Sequence, residues 1–169
     1  MRALLASLYR VCGWLAGLSM IAMLGCILLS ILGRQLDFYI RGIDSYAGYF
    51  MAAASFLALA NTFVHGDHIR VTLILNRLGE KKRRILEVWC VLLAIAISGA
   101  LAFFSAKMVW WSFAFHDISS ANDATPLWLP QLGMAVGTTV LVLAYIEELV
   151  LVLRGERPRT DLSEIAHTE

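Results

Sequence analysis

Four long stretches of the chain contain no charged and no histidine side chain: residues 11–33, 45–64, 88–106 and 124–146. Only 16% of all residues are charged, compared with roughly 25% in ordinary soluble domains. A helix rises about 1.5 Å per residue and the hydrocarbon core of a bilayer is about 30 Å thick, so about 20 apolar residues cross a membrane once. The missing charge therefore predicts an integral membrane protein with four spans and leaves no room for a soluble catalytic domain.

Cysteine is also scarce. The chain has three cysteines, Cys12, Cys26 and Cys90, and each lies within or at the edge of a predicted span. Cysteines in such positions behave as small apolar residues, and an odd number without any in a loop argues against a disulfide framework. The loops at residues 34–44 and 113–123, which the charge distribution described below places outside, therefore lack the cysteines that a quinone-linked disulfide enzyme needs.

Ionisable residues are missing from the middle of the predicted membrane. A transporter that works alone needs such residues near the bilayer midplane, and a haem-binding respiratory anchor needs paired histidines on facing helices. Glu147 and Glu148 lie late in the fourth span. We expect them to pair with Arg83 or Arg84 at the cytoplasmic interface, and a proton or sodium site is the alternative.

Catalytic and cofactor-binding patterns are absent as well. The sequence contains no nucleophile with its base, no phosphate-binding loop and no cluster of metal ligands. We therefore expect a non-catalytic membrane subunit that binds no metal or cofactor.

The basic residues are sorted to one side of the predicted membrane. With a cytoplasmic N-terminus, eleven of them lie in cytoplasmic segments, only Arg34 and Arg41 lie in an outer loop, and Lys107 is near the end of the third span. Positively charged loops are retained in the cytoplasm, so both termini are expected there, with the first span as an uncleaved anchor. Charges sorted in this way give no indication of nucleic-acid binding.

The predicted fold is an all-α four-helix membrane bundle with spans at about residues 11–33, 45–64, 88–110 and 127–148. Between the second and third spans, apolar residues at helical spacing predict a short amphipathic helix over about residues 69–78. It is expected to lie flat on the cytoplasmic surface, against membrane lipids. Residues 1–155 form the predicted membrane domain and residues 156–169 a polar cytoplasmic tail.

Small residues indicate where the helices pack. Lipid tails are as apolar as leucine, so helices associate in membranes through close approach of their backbones at small side chains. A four-residue spacing in the third span predicts a packing seam at Cys90, Ala94, Ser98, Ala102 and Ala106. Such seams can serve this bundle or a partner protein.

Two short motifs resemble a known transporter family. Residues 66–71, Gly-Asp-His-Ile-Arg-Val, follow the second span. Residues 126–131, Pro-Leu-Trp-Leu-Pro-Gln, open the fourth span, with Gly133 and Gly137 behind them. In their order, spacing and four-span setting, the motifs are similar to the small DctQ-like membrane subunit of tripartite ATP-independent periplasmic (TRAP) transporters, over about residues 10–155.

The resemblance implies a division of labour in the bacterial inner membrane. A periplasmic receptor captures an organic acid, and a large membrane subunit carries it by an elevator-type movement driven by sodium. The small subunit acts as a static scaffold, so sodium coupling is expected in the large partner. The candidate structural or partner-interface residues that the resemblance implies, with local capping as the alternative role, are His68, Arg70, Trp128, Pro130, Gln131, Gly133 and Gly137.

Charged residues crowd into the two outer loops, residues 34–44 and 113–123. Exposed charges of both signs suit a transient encounter that selects orientation, and simple hydration of the loops is the alternative. The candidate receptor-docking residues are Arg34, Asp37, Arg41, Asp44, His116, Asp117 and Asp123.

Two other functions remain open from the residues alone. A respiratory-type membrane anchor would show a haem or quinone spectrum, and a self-sufficient homodimeric exporter would transport without partners. Neither has the residues that its chemistry needs in this sequence.

Overall fold

In a computed structural model of the chain, the described residues are 2–38, 40–65, 80–121 and 123–154. They form four helices, which we number in chain order: α1 (Arg2–Gln35), α2 (Ile43–His65), α3 (Glu80–Ala114) and α4 (Trp128–Arg154). All four are long and apolar enough to cross a membrane. The expected all-α four-helix fold is confirmed. The predicted interfacial helix at residues 69–78 and the polar tail at residues 156–169 lie outside the described residues.

Helices α1 and α3 are longer than a bilayer requires. They contain 34 and 35 residues, which at about 1.5 Å per residue is about 50 Å of helix for a hydrocarbon core of about 30 Å. The extra turns carry charge, at Arg10 in α1 and at Arg84 and Glu87 in α3. These turns therefore belong outside the hydrocarbon, at the end of the molecule where the N-terminus lies.

The helices pack in a row whose order is α1, α2, α4, α3. Extensive contact joins α1 to α2, α2 to α4, and α4 to α3, whereas the other pairs meet only at isolated points. In its most apolar part, 44% of α4 is buried, compared with 6% of α1 and 11% of α3. Helix α4 is therefore the centre of the fold, and α1 and α3 each leave a wide apolar face uncovered.

One apolar core lies where α1 comes close to both α2 and α4. Each of these helices contributes one turn-spaced set of buried side chains: Tyr9, Cys12 and Ala16 from α1, Leu57, Ala60 and Phe63 from α2, and Val140, Leu141 and Ala144 from α4. The ring of Phe63 also packs against that of Tyr145, with 4.4 Å between centroids. This core holds together the half of the molecule that contains both the N-terminus and the end of α4.

Helices α2 and α4 approach each other backbone to backbone. A Cβ atom built on Gly137 would collide with the carbonyl oxygen of Phe56, and one on Gly133 would lie 3.0 Å from the Cβ atom of Ala53. Both Gly133 and Gly137 therefore pack inside this fold. No side chain other than hydrogen fits at Gly137 at this helix separation.

The packing seam of α3 differs from the predicted one. Its buried residues are Val91, Ser98, Ser105 and Ser112, which are seven residues apart. Cys90 and Ala106, at the ends of the predicted seam, are exposed. A four-residue step overshoots the helical turn by about 40°, so a strict four-residue stripe rotates away from a straight neighbour, whereas a seven-residue repeat stays on it.

We predict that Gly137→Ala destabilises the protein while Gly99→Ala does not. A Cβ atom at Gly99 meets nothing within 4 Å, although this residue also lies in the middle of a spanning helix. Overpacking costs typically about 1–3 kcal/mol, and here the obstacle is the backbone of α2, which cannot rotate aside. Thermal unfolding of the purified variants in detergent measures the difference. Equal midpoints for Gly137→Ala and Gly99→Ala would show that α2 and α4 do not touch at this point.

Candidate partner-binding surfaces

Aromatic side chains join the ends of α3 and α4 that lie opposite the N-terminus. The ring of Phe113 meets that of Trp128 edge to face, with 5.7 Å between centroids. Earlier in α3, the ammonium group of Lys107 lies 4.7 Å from the centroid of a ring of Trp111, which follows it by one helical turn. Aromatic rings favour the headgroup layer of a bilayer, and a cation over an indole face is attracted by the ring. This end of both helices is therefore suited to the membrane interface.

Pro130 and Gln131 lie in the first turn of α4, which begins at Trp128. A proline is tolerated there because the first N–H groups of a helix have no partner within it. The backbone N–H of Gln131 donates to the carbonyl oxygen of Leu127 at 3.3 Å. Its side-chain Oε1 atom is buried and accepts no hydrogen bond from the residues that the structure describes. Gln131 thus starts the helix through its backbone, and its carboxamide faces inward.

The remaining interface candidates divide into two groups. Gly133 and Gly137 are in the contact between α2 and α4 described above, so they serve the fold of this chain. His68 and Arg70 lie outside the described residues. Their expected role at the cytoplasmic end stays a prediction.

The first outer loop is a tight connection between α1 and α2. Asp37 has a positive φ angle of 53°, and the N–H of Phe38 donates to the carbonyl oxygen of Gly33 at 3.0 Å. In the first turn of α2, Asp44 accepts a hydrogen bond of 2.9 Å from the hydroxyl of Ser30. Arg34, Asp37, Arg41 and Asp44 are all exposed. The loop therefore presents charge of both signs on a short, well-defined turn.

The second outer loop folds back on itself between α3 and α4. Ile118 and Pro126 form an isolated antiparallel bridge. The N–H of Leu127 donates to the carbonyl oxygen of Asp117 at 3.0 Å, and His116 has a positive φ angle of 55°. The side chains of His116 and Asp117 are exposed. These backbone contacts define the position of both side chains at the surface.

The two outer loops meet at Gly42 and Asp123. Gly42 has a φ angle of 76°, and a Cβ atom there would collide with the side chain of Asp123. The hydroxyl of Tyr49 in α2 donates to Oδ2 of Asp123 at 3.1 Å and lies 3.0 Å from the hydroxyl oxygen of Ser119. Ser119 in turn donates to Oδ1 of Asp123 at 2.8 Å. A hydrogen-bonded cluster of α2 and the second loop therefore supports the first loop from beneath.

The carboxyl of Asp123 is held in its charged form by this cluster. Desolvation alone raises its pKa, but hydrogen bonds from the side chains of Thr125, Ser119 and Tyr49 outweigh that effect and place the pKa below its ordinary value. Because the pKa is lower in the folded chain, the charged carboxylate favours the folded loop above the ordinary pKa. That contribution is lost as the pH falls through the lowered pKa.

Among the candidate docking residues, Asp123 lies in the contact between the two loops at Gly42, and the other six are exposed. The sequence does not reveal this contact, because 81 positions separate Gly42 from Asp123. The signal that could have indicated it is the glycine itself, next to the charged residues of a short loop. Asp123 therefore helps to position the loop, and its role in docking stays a prediction.

Polar contacts also join α4 to α1 and to α3 at the opposite end of the molecule. The hydroxyl of Tyr9 in α1 donates to Oε2 of Glu147 in α4 at 3.1 Å, and Arg84 in α3 donates to the carbonyl oxygen of Leu153 at 2.9 Å. Only 2% of the surface of Glu148 is exposed. The structure does not describe the side chain of Arg83. The expected pairing of these glutamates with Arg83 or Arg84 therefore stays a prediction. Within the described residues, no three His, Cys, Asp or Glu side chains are grouped so that they could hold a metal ion.

These features define a class of protein: a multi-pass membrane protein whose helices are uncharged in their middle parts and are joined by side-chain hydrogen bonds at both ends. The chain matches the family model of the tripartite ATP-independent periplasmic transporters, DctQ component, over residues 23–155. A comparison with curated proteins gives no match. Since the matched residues comprise well over half of the chain, it belongs to the DctQ family, the small component of TRAP transporters. The resemblance of the two sequence motifs is thereby confirmed.

Proposed function

We propose that this chain is a static membrane scaffold for a large transporting subunit that takes up an organic acid with sodium. The acid is delivered by a periplasmic receptor. Membership of the DctQ family supports the assignment to a TRAP transporter. The large subunit carries the substrate and sodium sites, and the small chain holds that subunit in place in the bacterial inner membrane.

The observation that carries the scaffold role is the distribution of ionisable groups along the helices. In α4, the glutamates Glu147 and Glu148 lie in the last two turns, and the preceding residues 128–146 contain no charged or histidine side chain. In α3, residues 88–106 are equally free of charge. A substrate or ion site that is exposed to each side in turn needs polar ligands near the midplane. A chain without them depends on a partner for transport.

The uncovered faces of α1 and α3 offer area for that partner and for lipid. Trp14 in α1 is 77% exposed and Trp89 in α3 is 68% exposed. Both helices are at the ends of the row, so a large subunit can contact either one without disturbing the central α4. This arrangement suits a subunit that packs beside the large subunit and enlarges the immobile part of the complex.

We orient the chain with both termini in the cytoplasm. Eleven basic residues then lie on the inner side and Arg34 and Arg41 on the outer side, as the retention of positive loops in the cytoplasm requires. In this orientation, the two joined outer loops face the periplasm. Their exposed charges, supported by the Asp123 cluster, form a surface against which a receptor can dock.

The scaffold role predicts that the chain alone does not transport. In liposomes with an inward sodium gradient, the purified chain should take up none of a panel of labelled organic acids above the level of empty liposomes. Liposomes that contain the chain together with its large subunit and receptor are the positive control. Sodium-driven uptake by the small chain alone would refute the scaffold role and favour the homodimeric exporter.

The docking surface predicts a defect in Arg41→Glu that depends on receptor concentration. Charges at the rim of an interface act chiefly on the association rate, and among variants of one interface that rate varies by about tenfold or more. Half-maximal uptake by the reconstituted transporter should therefore need about tenfold more receptor, while the small and large subunits still copurify. The measurement is uptake as a function of receptor concentration.

Arg154→Glu is the matched control for this experiment, because Arg154 is an exposed arginine at the opposite end of the molecule. Exposed charges are screened beyond about 8 Å at physiological salt and about 3 Å at 1 M. Raising the salt concentration should thus bring the Arg41→Glu curve closer to that of the parent. If the Arg41→Glu and parent curves already coincide at low salt, Arg41 is only a hydrated loop residue.

A further inference from the structure

A groove runs along the contact between α1 and α2, near the N-terminal end of α1. It has a volume of about 430 Å³, and the residues that line it include Tyr9, Arg10, Gly13, Trp14, Asn61 and Val64. Pockets that hold small ligands commonly have about 300–1,000 Å³. The groove is therefore large enough for a molecular group of the size of a phospholipid headgroup.

The groove lies at the boundary between the headgroups and the hydrocarbon. Arg10 is the last charged residue before the charge-free run 11–33 of α1. On α2, Asn61 comes one turn before His65, the residue that follows the charge-free run. Trp14 is four residues beyond Arg10, about 6 Å deeper in the membrane, and tryptophan favours this interfacial depth. The lining thus changes from polar to apolar along the membrane normal.

The electrostatics of the groove favour an anion. The side chain of Arg10 is exposed, and none of the described lining residues is acidic. The carboxamide of Asn61 lies against Gly13, about 3.0 Å from the position that a Cβ atom would take. Tyr9, beside them, directs its hydroxyl to Glu147. Among the described residues that line the groove, Arg10 therefore supplies the charge, and this charge is positive.

We propose that this groove binds the phosphodiester headgroup of an anionic phospholipid, with Arg10 on the phosphate and Trp14 along the upper part of the acyl chains. The planar guanidinium group matches the geometry of phosphate oxygens, and basic pockets between spanning helices are sites for anionic headgroups. The change from polar to apolar lining follows the order of groups in a phospholipid. This inference requires only that the chain is in a membrane, and it does not depend on a role in transport.

Native mass spectrometry of the purified chain in a mild detergent tests the proposal. Phosphatidylglycerol and phosphatidylcholine with the same acyl chains are the probes. We expect several-fold more adducts with phosphatidylglycerol, and at least a fivefold loss of them in Arg10→Gln. Arg154→Gln is the control, because Arg154 is an exposed arginine at the last residue of α4, on the same side of the molecule along the helix axes as Arg10, and it should retain the adducts of the parent.

Three outcomes of that experiment would contradict the proposal. Equal losses in both variants would indicate general attraction between positive charge and anionic lipid. Equal numbers of adducts with both lipids would show that the groove does not recognise the negative charge of the headgroup. Adducts that do not respond to Arg10→Gln would show that the lipid binds elsewhere and that the groove takes another occupant, such as residues 66–79 of this chain or a partner protein.

A second measurement in liposomes does not depend on detergent. Phospholipids with bromine on the acyl chains quench tryptophan fluorescence at close range, and the signal of Trp14 is the difference between the parent and Trp14→Phe. At equal mole fraction, brominated phosphatidylglycerol should quench Trp14 more strongly than brominated phosphatidylcholine, and Arg10→Gln should abolish the difference. Equal quenching by the two lipids in the parent would overturn the proposal.

Discussion

The close contact of α2 and α4 at Gly137 is the constraint on which the rest of this fold depends. Apolar side chains gain little from meeting each other in a membrane, where lipid tails are equally apolar, so helices associate where their backbones can approach. At Gly137 the backbone of α4 reaches the carbonyl of Phe56. With α4 at this distance, the ring of Tyr145 packs against that of Phe63, and Glu147 comes within reach of the Tyr9 hydroxyl.

The same contact explains why the molecule is a row and not a closed bundle. Helix α4 packs against α2 through Gly133 and Gly137. By another face it packs on α3, whose buried serines are Ser98, Ser105 and Ser112. This leaves α1 and α3 without extensive contact to each other. In water, two such open apolar faces would be unfavourable. In a bilayer they can be covered by lipid or by a partner, which is consistent with membership of a family of transporter components.

The sequence predicts much of the fold because a bilayer imposes simple rules on it. A charge-free run of about 20 residues has to be a helix in hydrocarbon, so the four helices follow from composition alone. Within this chain, the predicted seam of α3 packs at Ser98 but not at Cys90 and Ala106, because a four-residue spacing rotates about 40° per step around the helix; a role of that stripe against a partner stays a prediction. The pairing of Gly137 with Phe56 was not predictable either, since a small residue shows that a close approach is possible but not which helix makes it.

The candidate sites were predicted less completely, and for a physical reason. Charge density in a short loop indicates exposure, and the structure places Arg34, Arg41 and Asp117 at the surface. Charge density does not indicate which charged residue is needed for the shape of the loop. Asp123 is that residue, because Tyr49 and Ser119 donate hydrogen bonds to its carboxylate beside Gly42. Such contacts between distant segments arise from the packing of the helices beneath them.

The groove at Arg10 and the polar cluster at Asp123 lie at opposite ends of the molecule along the helix axes. Between them, the helices contain the uncharged middle segments that a scaffold can have and a lone transporter cannot. We therefore propose that this chain works only as part of a larger membrane complex. Its shape and chemistry suit a fixed component that a mobile subunit works against.

The most direct measurement is isolation of the tagged chain from its native membranes in a mild detergent, followed by determination of the mass and absorption spectrum of the complex. We predict one complex with a second, many-span membrane protein in a fixed ratio and without haem absorption. Recovery of the chain as a self-contained homodimer, or with a haem spectrum, would contradict the account.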